Sequence, residues 1–117
     1  VSLCEKYDLF PSLDGWKNKI LLLETSENKP EPKLYKKMIG ALKNFGIFDV
    51  LSGVLVGKPQ DEIYYEEYKQ ILLEETAGKD LSIVYNINVG HATPRCIIPF
   101  GVEAKVNVDK QVITFDN

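Results

Sequence analysis

The sequence predicts an α/β domain with a small parallel-centred sheet, flanking helices and an antiparallel C-terminal hairpin. Three observations carry this expectation. From residue 17 onward, short apolar runs alternate with segments of helical period, as parallel strands joined by crossover helices require. The closing stretch "GVEAKVNVDKQVITFDN" alternates apolar and polar residues about Asp109-Lys110, the pattern of two short antiparallel strands and a turn. A length of 117 residues suits one hydrophobic core, since single domains usually run to roughly 100 to 150 residues.

The elements follow in order. "KNKILLLET" (17–25) is an unbroken apolar run with a charged flank and reads as a strand buried on both faces. "SENKPEP" breaks it. In "PEPKLYKKMIGALKNFG" the residues Leu34, Met38, Leu42 and Phe45 recur at helical spacing, Pro32 suits the first turn, and Gly46 suits the position just past the end. "VLSGVLVG" (50–57) is a second buried strand, and "KPQDE" a loop. "IYYEEYKQILLEETAG" predicts a second helix with Tyr64, Tyr68, Ile71 and Leu72 on its packed face and Gly78 closing it. "LSIVYNINV" (81–89) predicts a third strand, ahead of the hairpin.

Composition removes several functions. Hydrophobic residues at 44% and charged residues at 26% match ordinary globular proteins, which excludes a disordered chain. A net charge of −3, with no basic stripe, repels a polyanion, so no nucleic-acid partner is expected. No apolar run approaches the roughly 20 residues that span a bilayer, and the start lacks the pattern of a signal peptide, so a cytoplasmic protein without membrane contact is expected. Cys4 and Cys96 then read as reduced thiols. The chain opens without methionine, consistent with a piece of a longer protein.

Ligands of open parallel sheets bind beyond the carboxyl ends of the strands. At those ends stand Glu24, then Gly57-Lys58-Pro59, then Asn86, Asn88, Gly90 and His91, the one histidine of the chain. A carboxylate bonded to one imidazole nitrogen fixes the tautomer and stabilises the imidazolium formed when the other nitrogen takes a proton. Glu24 and His91 are therefore candidate catalytic residues, and Lys58 and Asn88 candidate substrate-binding residues. Each has a plainer alternative: Glu24 as a solvated strand-end acid or helix cap, Lys58 as a rim charge, His91 as an exposed loop residue. Missing is a nucleophile, because none of Ser2, Ser12, Ser26, Ser52 and Ser82 lies in Gly-x-Ser-x-Gly surroundings. Cys96 does not replace it, since "CIIP" reads as an apolar segment. One histidine and two distant cysteines supply too few ligands for zinc, and "GVLVGK" lacks the Ser or Thr of a phosphate loop, so no metal and no cofactor are expected.

Three segments, "KILLLETSENKPEP", "GIFDVLSGVLVGKP" and "NINVGHATPRCIIPFGVEAKVNVDKQVI", resemble in that order the C-terminal half of the LD-carboxypeptidase family of serine peptidases, which includes the microcin C self-immunity proteins. The resemblance implies a swivelling β/β/α-like domain over 17–117, with 1–16 as the linker from an N-terminal domain. It also implies a Ser-Glu-His triad whose serine sits on that N-terminal domain and whose other members are Glu24 and His91. The implied substrate is a peptide-type small molecule: a cell-wall peptide cut before a terminal D-alanine, or a microcin C-like peptide-nucleotide. A fragment lacking the serine is expected to be inactive, and a homodimer is the implied assembly. Asn-Val before the Gly-His departs from the aromatic or acidic residue common in relatives. A rival expectation is a non-catalytic α/β module that binds a small molecule or dimerises.

Overall fold

In the computed structural model, which describes residues 1–116, two short helices, α1 (Ser2–Tyr7) and α2 (Leu13–Trp16), precede the first strand. The strands β1 (Ile20–Leu23), β2 (Gly53–Gly57) and β3 (Ser82–Ile87) then form a parallel sheet in the order β1-β2-β3. Between them run α3 (Pro32–Phe45) and α4 (Tyr65–Glu75). A separate antiparallel pair, β4 (Glu103–Asn107) and β5 (Val112–Asp116), closes the chain. This is the α/β architecture expected, with the hairpin turning at 108–111 around Asp109-Lys110.

Crossovers of one hand between successive parallel strands place both helices on one face of a sheet. Alternate strand residues show it: Leu21, Leu23, Val54, Val56, Ile83 and Tyr85 all pack into the core that the helices cover. Ile47, Leu72 and Val54 are its most deeply buried large side chains. Pro32 opens α3, and Gly46, at φ 92°, ends it in the left-handed conformation that glycine adopts without a steric penalty.

Two sequence expectations need correction. β1 is not buried on both faces, since all four of its residues are half-buried: it is an edge strand with helices on one side only. The packed stripe of α3 is also rotated from the one predicted. Tyr35, Ile39 and Leu42 point into the core, whereas Leu34 is 49% exposed, and Met38 and Phe45 are half-buried. A tyrosine at 35 buries more area than a leucine at 34, and together with Ile39 it keeps the four-residue spacing of one helix face. The expected face of α4 is observed, with Tyr68, Ile71 and Leu72 buried and Tyr64 packed beside them.

Among the described residues, no helix is long and apolar enough to cross a membrane. Cys4 and Cys96 are both free thiols.

Candidate active site

Glu24 is the first residue beyond β1, so the strand delivers its side chain to the carboxyl edge of the sheet. His91 reaches the same edge by a less regular route. The pairing of β2 with β3 slips by one residue between Leu55 and Gly57, and Asn86 there takes a left-handed conformation at φ 65°. This bulge redirects the chain across the end of β2. The backbone N–H of Lys58 donates to the Ile87 carbonyl at 2.9 Å, and that of Val89 donates to the same carbonyl at 2.8 Å. Val89 and Ala92 are buried on either side of His91, which pins the loop and leaves the imidazole at the surface.

Two glycines make the crossing possible. A Cβ on Gly57 would lie 2.9 Å from the Val89 carbonyl oxygen, closer than packed atoms allow. A Cβ on Gly90, whose φ is 99°, would lie 2.7 Å from Cγ of Glu24. The backbone before His91 thus lies directly against the Glu24 side chain.

The result is a hydrogen-bonded pair. His91 Nδ1 meets Glu24 Oε1 at 2.7 Å, and both side chains are a little over one-third exposed. A third group, not anticipated from the sequence, completes the arrangement: Glu27 Oε2 lies 2.9 Å from His91 Nε2. Each ring nitrogen thus faces one carboxylate oxygen, Nδ1 that of Glu24 and Nε2 that of Glu27. The signal for Glu27 was a second acid three residues beyond Glu24 in a segment that reads simply as a strand breaker.

The loop bearing both glutamates is tied down. The Lys29 N–H donates to the Ser26 carbonyl at 3.0 Å, closing a turn around Glu27. Lys29 Nζ pairs with Asp61 at 2.6 Å, and the Tyr68 hydroxyl donates to the Pro30 carbonyl. Beneath Glu24 lies a cavity of about 40 Å³ lined by Leu23, Tyr35, Gly57, Tyr68 and Tyr85 among others. Burial, then the neighbouring Tyr85 and Tyr68, pushes the Tyr35 hydroxyl far up, and burial likewise raises Tyr68 and Tyr85. These hydroxyls stay neutral, and the cavity beneath Glu24 has room for no more than a few waters.

The other two predicted site residues form no side-chain pair with this cluster among the described residues. Lys58 is half-buried and makes no ion pair with either glutamate among the described residues. Asn88 is exposed; its carbonyl accepts the Cys96 N–H at 2.7 Å, and it lines a cleft of about 700 Å³ between β3 and the hairpin. That cleft contains neither Glu24 nor His91.

Comparison with known proteins bears on this geometry. A family model described as the LD-carboxypeptidase C-terminal domain matches residues 2–106. The chain belongs to that family. This LD-carboxypeptidase C-terminal domain is 30% identical over 82 residues to a protein named "Putative carboxypeptidase" from Treponema pallidum, covering 68% of the chain and 24% of the relative. It is also 30% identical over 71 residues to a similarly named protein from Streptomyces coelicolor, covering 61% and 23%. Its fold is similar to the crystal structure of an MccF-like protein from Streptococcus pneumoniae in complex with AMP. There the TM-score is 0.88 and the identity 57%, over 98% of this chain and 33% of that one. The chain therefore spans between about a quarter and a third of the length of these relatives.

One substitution tests how the LD-carboxypeptidase C-terminal domain holds its pair. In Gly90→Ala the added methyl must displace Glu24, because the nearest atoms it meets are Cγ and Cδ of that side chain. Strain at positive φ adds to the clash. The expected outcome is a loss of about 1–3 kcal/mol in denaturant unfolding. A crystal structure of the variant is expected to show the Glu24–His91 hydrogen bond broken.

Proposed function

We propose that this domain supplies the glutamate and histidine of a Ser-Glu-His triad in a serine peptidase of the LD-carboxypeptidase kind. The nucleophilic serine then comes from an N-terminal region such as the longer relatives have room for. The observation carrying this reading is the His91 pair itself: Nδ1 is held by a strand-end carboxylate, and Nε2, on the far side of the ring, faces the exposed Glu27 side chain. In the reaction, Nε2 takes the serine proton as the hydroxyl attacks the peptide carbonyl. Glu24 stabilises the resulting imidazolium, and the ring then returns the proton to the leaving nitrogen. The exposure of the pair supports a site completed by a second surface, because the cavity beside Glu24 is too small for a peptide.

Between the two substrate classes of the family, the likeness to an MccF-like protein solved with AMP favours an amide joined to a nucleotide. Release of a terminal D-alanine from a cell-wall peptide is the second reading, favoured by the carboxypeptidase names of the other relatives.

A serine-directed fluorophosphonate tests the reaction class. It is expected to label the chain when joined to its N-terminal region and to leave the isolated chain unlabelled. An unlabelled joined protein overturns the serine mechanism. Hydrolysis of an aminoacyl phosphoramidate of adenosine, set against D-alanine release from a peptide ending in L-lysyl-D-alanine, then separates the substrate classes.

A further inference from the structure

Triad chemistry as described uses two side chains of this chain, yet three meet at the imidazole. Glu27 faces Nε2, the nitrogen that must accept the serine proton and later deliver it to the leaving group. Its position is not that of a free surface acid. The turn closed between Ser26 and Lys29, the Lys29–Asp61 pair and the Tyr68 contact to Pro30 fix the loop on both sides of it. Its carboxylate is nevertheless 60% exposed, so a change of rotamer can clear the nitrogen without moving the backbone.

When a serine hydroxyl claims Nε2, Glu27 is displaced by about one hydrogen-bond length and stays beside the place where the leaving nitrogen arrives. Lys29 is engaged by Asp61, and Lys58 pairs with neither glutamate among the described residues. A carboxylate there opposes the negative charge growing on the carbonyl oxygen but favours positive charge growing on the nitrogen. Amide cleavage creates such a charge. In the collapse of the tetrahedral intermediate, the Nε2 proton passes to the leaving nitrogen and the C–N bond breaks. The amine departs with that bonding pair, and the ring returns to its neutral form. Glu27 takes no proton in this step and accepts an N–H of the departing nitrogen.

We infer that Glu27 is a further catalytic residue of the proposed peptidase, accepting a hydrogen bond from the leaving nitrogen and selecting amide over ester substrates. The inference rests on the triad reading. It predicts a difference between two substrates with the same acyl part, because an ester oxygen carries no N–H and leaves without acquiring positive charge.

The test uses the chain joined to its N-terminal region, with an L-lysyl amide and the matching L-lysyl ester as probes. Glu27→Gln, which keeps the side chain's size, is expected to lower kcat for the amide by roughly ten- to hundredfold and to leave the ester within about twofold. Glu27→Asp is expected to recover part of the amide rate, because the charge is restored near the same place. An unchanged amide rate in Glu27→Gln overturns the inference, and so does an equal loss on both substrates, which marks a structural role. His91→Ala separates the two levels: loss of both substrates in that variant keeps the triad when Glu27 fails, whereas retention of both overturns the triad and this inference together.

Discussion

His91→Ala is expected to reduce peptide hydrolysis by the joined protein by about 10⁴- to 10⁶-fold in kcat, with KM changed only a few-fold. The size follows from what the imidazole does. In the proposed triad it alone links the serine proton to the leaving nitrogen, and no second histidine exists in the chain to take over. The fold has little stake in the ring: the side chain is 38% exposed, and the buried neighbours Val89 and Ala92 hold the loop. Unfolding free energy is expected to stay within about 0.5 kcal/mol of the parent, apart from the lost ion pairs. Activity surviving within tenfold in a steady-state assay overturns the triad assignment.

The convergence of Glu24 and His91 was legible before any coordinates because it follows from topology. Two apolar runs that form parallel strands bring their carboxyl ends to one edge, whatever the sequence distance between them. Pro32 and Gly46 marked the ends of α3 for equally local reasons, a missing N–H at the start and a left-handed residue at the stop. Features set by competition between neighbours were harder to read. Leu34 and Tyr35 both satisfy a helical period, and only the packing against β2 and α4 chooses the larger side chain. The half-exposure of β1 depends on which side the helices take, a property of the assembled sheet and not of the run "ILLL". Asn86 tolerates positive φ better than most residues, yet nothing in "YNINV" distinguishes a bulge there from a continued strand. The contact of Glu27 with the imidazole escaped because it is set by the four-residue turn 26–29, and turns place side chains by dihedral angles that residue spacing does not encode. Lys58 and Asn88 were placed at the sheet edge by sequence alone, which does not encode side-chain direction: Lys58 forms no ion pair with either glutamate among the described residues, and Asn88 lines the cleft beside the hairpin.

Glu24→Gln is expected to lower kcat by about 10³- to 10⁴-fold while leaving KM and stability nearly unchanged. The amide has the carboxylate's shape, so it can stay beside Nδ1 against the Gly90 backbone. It loses the negative charge that offsets the imidazolium, and its NH₂ can turn the ring to the tautomer with Nε2 protonated, which cannot accept the serine proton. Glu27 then remains as the sole carboxylate at the ring, bound to the nitrogen that has to be free. Steady-state kinetics on the single and double variants separates this account from a general electrostatic effect. If Glu24 acts only through His91, the Glu24→Gln/His91→Ala pair is no slower than His91→Ala alone, and the two losses do not add. Additive losses show that Glu24 reaches the substrate by a route that bypasses the imidazole. The 2.7 Å contact to Nδ1, with Gly90 packed against the carboxylate's own stem, favours the first outcome, because both hold that side chain against the ring.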